Sequence, residues 1–145
     1  GGRIVGEACH FIDLLRYLAG ASISAVSACA MASKHNDTVS IQLSFNNGSV
    51  GTVHYFANGN KRFPKERVEV FSGGSIATID NFRALKTQGW SGLKSQRLWK
   101  QDKGQVNCAS AFVSAIETGD TDNLIPFSEL VEVASCGFDV MDQIG

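Results

Sequence analysis

The sequence predicts an α+β fold, an open and mainly antiparallel β-sheet with helices on one face. Two observations predict it. Segments with helical spacing of apolar residues stand at both ends of the chain, and alternating, strand-like segments are grouped between them. The strand-like segments also meet at glycine turns of hairpin type, Asn46-Asn47-Gly48 and Gly73-Gly74. At 145 residues the chain is one domain's worth, and 1–145 is read as a single domain able to bury a core without staples.

The first helix is expected from about Glu7 to Ala19. Phe11, Leu14, Leu15 and Leu18 make its apolar stripe, while His10, Asp13 and Tyr17 follow i, i+3, i+7 on a neighbouring face. Gly20 is placed to end it in a left-handed conformation, having no Cβ to clash. Ile23–Met31, rich in small and β-branched residues, reads as a strand. Thr38–Phe45 alternates, with Val39, Ile41, Leu43 and Phe45 on one side. Ser49–Ala57 returns antiparallel to it. A two-residue Asn47-Gly48 turn would pair Phe45 with Val50 and Ile41 with His54, whereas a bulge would shift the register by one and swap faces. Under the first register Val53 and Tyr55 point away from the helices and leave an apolar sheet face of the kind that marks an interface.

Asn58–Lys65 reads as a polar, basic loop closed by Pro64. Arg67–Phe71 and Ser75–Asp80 form a second strand pair, and Asn81–Lys103 is irregular and carries Trp90 and Trp99. Two helices close the chain. One has the stripe Ala109, Phe112, Val113, Ile116 and ends at Gly119. The other starts after Pro126 with Ser128 as cap and runs through Leu130, Val133, Ala134, Gly137 and Met141.

Composition narrows the function classes. The hydrophobic share of 43% and charged share of 19% are those of an ordinary globular protein. With a net charge of −1 and scattered lysines and arginines, no basic stripe meets the demands of a phosphate backbone, so nucleic acid is not expected as a partner. No apolar run reaches the roughly 20 residues of a membrane span, and Gly1–Val5 lacks the layout of a signal peptide. Cys9, Cys29, Cys108 and Cys136 show no CxxC spacing, and the three histidines are widely separated. Free thiols in a reducing, cytoplasmic compartment are expected, and no metal site. Asn36-Asp37-Thr38 and Asn47-Gly48-Ser49 fit the glycosylation pattern, which arises often by chance.

No G-x-G-x-x-G, G-x-S-x-G or phosphate loop is present, so no cofactor is expected on this chain itself. The segment that could carry chemistry is Gly1-Gly2-Arg3-Ile4-Val5-Gly6-Glu7-Ala8-Cys9-His10-Phe11-Ile12-Asp13-Leu14-Leu15, closed by Gly20. By spacing alone, a histidine near a helix start is more often an ordinary satisfied or surface residue than a catalytic one, and His–x–x–Asp is a common surface pair on helices. Lys61, Arg62 and Lys65 could meet a phosphate or carboxylate, or simply form a solvated loop. Trp90 and Trp99 could stack on a sugar ring or cover a sheet edge.

This segment resembles the start of the second domain in the glucose–fructose oxidoreductase/inositol dehydrogenase (Gfo/Idh/MocA) family. Other segments are similar in the same order: the hairpin Val39–Phe45, Asn47-Gly48, Val50–Val53; Val68-Glu69-Val70-Phe71-Ser72-Gly73-Gly74; Gln101-Asp102-Lys103-Gly104; Ala111-Phe112-Val113-Ser114-Ala115-Ile116; Gly119; and Ile125-Pro126-Phe127. The resemblance implies the C-terminal domain of a two-domain dehydrogenase of dihydrodipicolinate-reductase-like architecture. NAD or NADP would be bound by a Rossmann domain absent from this chain, and the substrate would be a sugar, nucleotide sugar or polyol. It further implies His10 as proton acceptor or donor, Asp13 as the residue anchoring the helix, a lysine contributed by the other domain, and a homo-oligomer formed through the sheet face. Lys61, Arg62 and Trp90 are the candidates for substrate contact. The sequence departs from the family in one respect: many members carry an aspartate four residues before the histidine, where this chain has Gly6. Glu7 could take that role or favour the helix start through its dipole. A non-catalytic module that keeps the fold for ligand binding or dimerisation is the alternative.

Overall fold

A computed structural model of the chain describes residues 2–32 and 36–145. Gly1, which opens the glycine-rich lead, and His35 lie outside the described residues. The chain divides into two compact units, Gly1–Asn58 with Ile125–Gly145, and Gly59–Leu124.

In the first unit, a π-helical turn over Ile4–Ala8 runs directly into α1 (Cys9–Ala19). A three-stranded antiparallel sheet follows, with β1 (Ile23–Ala30), β2 (Thr38–Phe45) and β3 (Val50–Phe56) in that order. The C-terminal helix, called α3 (Phe127–Ile144), packs with α1 on one face of this sheet. Alternation along β2 decides the core: Val39, Ile41, Leu43 and Phe45 are buried, with Val53 from β3 and Ile4, Ala8, Ile12, Val133, Cys136 and Val140 from the helices. The buried line of the first helix therefore runs through Ile4, Ala8 and Ile12, and Leu18, expected on the stripe, is exposed. Phe11 and Leu15 of the expected stripe pack against this core, which on α1 centres on Ile12. Gly20 ends α1 at φ 61°, as its position predicts. Gln143 of α3 serves the open edge of β1, accepting from Ala28 N at 2.8 Å and donating to Val26 O at 3.2 Å.

The hairpin register differs by one from that of a two-residue turn. Ser44 pairs with Val50 and Ile41 with Val53. Phe45 N donates to Ser49 O and Gly48 N to Phe45 O, with Gly48 at φ 84°, so the loop is the three-residue type with a glycine bulge. The consequence is the face swap that a one-residue slip imposes. Val53 and Tyr55 face the helices, and Val50, Thr52, His54 and Phe56 face away.

The second unit holds a separate antiparallel sheet, β4 (Arg67–Ser72), β5 (Ser75–Asp80), β6 (Ala84–Gln88) and β7 (Gln96–Arg97), in chain order. β6 and β7 lie within the stretch read as irregular. α2 (Gln105–Thr118) completes this unit. Its predicted stripe does not face a core: Phe112, Val113 and Ile116 are exposed and Ala115 is the buried residue. α3 begins at Phe127 with Pro126 at the cap position, so Ser128 lies inside the first turn and makes no capping bond. Among the described residues no helix is long and apolar enough to cross a membrane, and no cluster of three metal-ligating side chains occurs.

Candidate active site

The candidate site is built on the π-helical turn and α1. A π-helical turn is rare and is often found at functional sites, because it rotates side chains off the regular helical positions. Here it carries Glu7, and the α-helix after it carries His10 and Asp13, so all three sequence candidates of the first unit fall on one continuous helical segment.

Glu7 makes no capping bond to the backbone among the described residues. Its Oε2 accepts a hydrogen bond from the Tyr55 hydroxyl at 2.6 Å, a short, charge-assisted contact. Tyr55 reaches it because the hairpin register turns β3's odd-numbered side chains toward the helices. Burial pushes the Tyr55 hydroxyl up to about 12, and the bond to Glu7 and its charge add to the shift. Arg3 acts in the opposite direction on Tyr55, and its guanidinium pairs with Asp37 at 3.5 Å. The result is a line of alternating partners, Asp37–Arg3 and Glu7–Tyr55, along the start of the helical segment.

His10 is exposed, and its ring makes no hydrogen bond among the described residues. Its imidazole is open to a ligand approaching from solvent. Asp13, one turn on, is half-buried. Desolvation holds its carboxyl above the ordinary carboxylate range, the charge of Glu129 adds to this, and His10 partly counters it. Asp13 thus faces the like charge of Glu129 on α3 and the imidazole of His10 on its own helix. Next to it Arg16 spans Glu129 at 3.4 Å and Glu132 at 3.2 Å, and Glu132 also accepts from Ile23 N. This network fixes α1 against α3 and so fixes the direction in which His10 points.

The other candidates stand in the second unit. Lys61 and Arg62 are exposed in the loop before β4, where Arg62 N donates to Asn60 Oδ1 at 2.9 Å. Trp90 is half-exposed just after β6. Tyr55 was not legible as a site residue, because its place depends on a register that the turn sequence alone left open. Every described strand pair is antiparallel, so no strand–helix–strand crevice of the dinucleotide-binding kind is formed among the described residues.

Comparison with known proteins gives the following. A family model described as the GFO/IDH/MocA C-terminal domain matches residues 1–77. No curated protein sequence is matched at a significant level. Among solved structures, UDP-N-acetylglucosamine 3-dehydrogenase GnnA from Acidithiobacillus ferrooxidans superposes with a TM-score of 0.76 at 20% identity, over 94% of this chain and 45% of its own. The dehydrogenase MviM from Clostridium difficile gives 0.68 at 22%, over 95% and 46%. The WlbA dehydrogenase from Bordetella pertussis, solved in complex with NADH and UDP-GlcNAcA, gives 0.58 at 18%, over 99% and 42%. The chain thus spans less than half the length of each of these structures, and at such identities the likeness is one of fold.

Proposed function

This chain belongs to the GFO/IDH/MocA family, and on that premise we propose that it is the substrate-side domain of an NAD(P)-dependent oxidoreductase acting on a sugar, nucleotide sugar or polyol. The observation that carries the reading is His10, an open imidazole on a helix held to α3 by the ion pairs of Arg16 with Glu129 and Glu132. The names of the structures it superposes on, a UDP-N-acetylglucosamine 3-dehydrogenase and a dehydrogenase with NADH and UDP-GlcNAcA, support a nucleotide sugar as substrate class.

Dehydrogenation of an alcohol takes a hydride from carbon and a proton from oxygen. This chain's part is the proton: the His10 imidazole accepts it from the substrate hydroxyl and returns it in the reverse direction. Asp13 is the positioning residue behind it. Glu7, held by Tyr55, supplies a second carboxylate in place of the family aspartate that Gly6 lacks. Lys61, Arg62 and Trp90 are the second unit's own candidates for substrate contact. The dinucleotide we assign to the rest of the parent protein, since among the described residues every strand pair is antiparallel. The stripe Phe112, Val113, Ile116 on α2, open to solvent here, fits a surface that another part of the parent covers. Free thiols at all four cysteines fit a reducing, cytoplasmic setting. Self-association through the outer face of the first sheet completes the proposal.

In the full-length parent, His10→Ala should lower kcat by roughly 10²–10⁴, the span for loss of a positioned acid or base. Its circular dichroism and melting should stay those of the parent, since His10 is exposed. Normal turnover in that variant would remove His10 from the mechanism. The second reading, a non-catalytic ligand-binding module, is favoured by Gly6. It predicts a rise in Tm with a sugar ligand but no turnover in the parent itself.

A further inference from the structure

We propose that Arg83, Arg97 and Trp99 form a binding site in the second unit for a sugar bearing a phosphate or carboxylate. The site is an open surface recess of about 370 Å³ lined by Arg83, Arg97, Leu98 and Trp99. Arg97 lies on β7 opposite Ala84 of β6, and the next residue, Leu98, bonds through its N–H to Arg83 O, so the two arginines occupy neighbouring positions at the end of adjoining strands and both border the recess.

Their charges are unspent. Arg3, Arg16, Arg67, Lys86 and Lys103 each meet a carboxylate, whereas neither Arg83 nor Arg97 does so among the described residues. Asp102, the acid nearest in sequence to Trp99, has its Oδ1 on Gly104 N at 2.8 Å. Arg83 is also held in place: its Nε donates to Leu98 O at 3.2 Å, and Leu98 N donates to Arg83 O at 2.8 Å, leaving the terminal nitrogens of the guanidinium to point elsewhere. Beside them the Trp99 side chain is 89% exposed. An indole left open beside two cations presents a flat apolar surface with no partner of its own.

Hydrogen bonds hold the backbone beside the recess. Asn81 and Phe82, at φ 52° and 47°, are the central residues of the turn that Arg83 N closes on Asp80 O at 3.0 Å. Asn81 N donates to Glu66 O at 2.7 Å, Gln101 Nε2 donates to Asn81 O at 2.9 Å, and Asp102 N donates to Phe82 O at 3.0 Å. These bonds tie the segment after Trp99 to the turn before Arg83, so the two walls of the recess are fixed to each other.

The chemistry selects the ligand. Two guanidinium forks match the oxygens of one phosphate or carboxylate in a way an ammonium cannot, and the indole offers a stacking face for the C–H side of a pyranose ring. The inference is independent of any role for His10, and it can fail while the proposed activity stands.

The two tryptophans give two indole N–H resonances, and Trp99→Phe identifies that of Trp99. Titration of the whole chain with glucose 6-phosphate or glucuronate should move the Trp99 signal in a saturable way, with Kd near or below about 1 mM, and leave that of Trp90 in place. Glucose and inorganic phosphate alone should each bind about tenfold more weakly or worse, since each offers only one of the two contacts. Arg97→Ala should weaken glucose 6-phosphate by about tenfold or more, and Arg97→Lys should recover only part, because the charge returns without the fork. No movement of the Trp99 signal, equal binding of glucose, equal binding of inorganic phosphate, or unchanged affinity in Arg97→Ala would each overturn the site.

Discussion

Tyr55 shows how a single residue's role turns on its surroundings. Its sequence position says only that it alternates with His54 and Phe56; the bond to Glu7 makes it part of the candidate site. The raised value of about 12 has a consequence for stability. A group whose folded pKa exceeds its unfolded one, here about 10.0, contributes fully below the unfolded value. Unfolding above pH 10 releases a proton that folding would hold, so stability should fall as pH rises from about 10 to about 12 and level off beyond. Phenolate absorbance during alkaline titration checks this, with Tyr55 ionising last in the folded protein. Glu7→Gln removes the charge but not the burial, so the Tyr55 midpoint should fall part of the way toward 10; an unchanged midpoint would mean Glu7 does not hold it. That His10 and Asp13 share one face of α1 follows from i, i+3 spacing, which is local information. The contacts of Arg16 to Glu129 and Glu132, on a helix more than a hundred residues later, are not local.

At the scale of elements, the register left open by the turn and the unread strands have one cause: both depend on pairing rather than on composition. Asn46-Asn47-Gly48 supports a two- or a three-residue loop, and the choice is settled by Phe45 and Ser49 bonding across the bulge. β6 was passed over although Leu85 to Gln88 alternates and Gly89 ends it, since its hydrogen bonds come from β5 rather than from any turn signal as clear as Gly73-Gly74. The apolar stripe of α2 was read correctly as a stripe but not as an exposed one, because periodicity gives a face and not its partner. One packing constraint does belong to a single residue. A Cβ on Gly51 would stand 2.9 Å from Leu15 Cδ1 and 3.4 Å from a Phe45 ring carbon, so any side chain there must displace the end of Leu15 where β3 lies against α1. Gly51→Val should destabilise the fold by about 1–3 kcal/mol, the usual cost of overpacking, read as a lower denaturant midpoint at unchanged m. Gly51→Ala should cost less, since the leucine methyl can give way.

For the whole molecule, the proposed self-association turns on the face of the first sheet opposite the helices. By register the outward positions are Ser40, Gln42 and Ser44 on β2, Val50, Thr52, His54 and Phe56 on β3, and Ala25, Ser27 and Cys29 on β1, while Thr38 at the start of β2 is buried. These positions hold no Asp, Glu, Lys or Arg: Ser40 Oγ and His54 Nδ1 lie 2.9 Å apart, His54 packs on Phe56 with ring centroids 5.4 Å apart, and Val50 and Phe56 are exposed. Strand positions without such charges lack the usual device against association. Its size limits how tightly it can hold. Three strands about 4.8 Å apart, each of about eight residues rising about 3.4 Å, cover on the order of 400 Å² in projection, short of the roughly 800 Å² per partner of a stable complex. The expected outcome is an isologous dimer of micromolar affinity, seen as a mass that rises with concentration in sedimentation or light scattering. Phe56→Glu should hold the chain as a monomer with its circular dichroism unchanged, because the substituted side chain points to solvent and its burial in a dimer would leave an unpaired charge at the interface. Tyr55→Glu should instead damage the fold itself, since that side chain faces the helices and would set a second carboxylate against Glu7. A monomeric mass at all concentrations would show that the sheet face does not self-associate, and a dimer that survives Phe56→Glu would place the interface elsewhere.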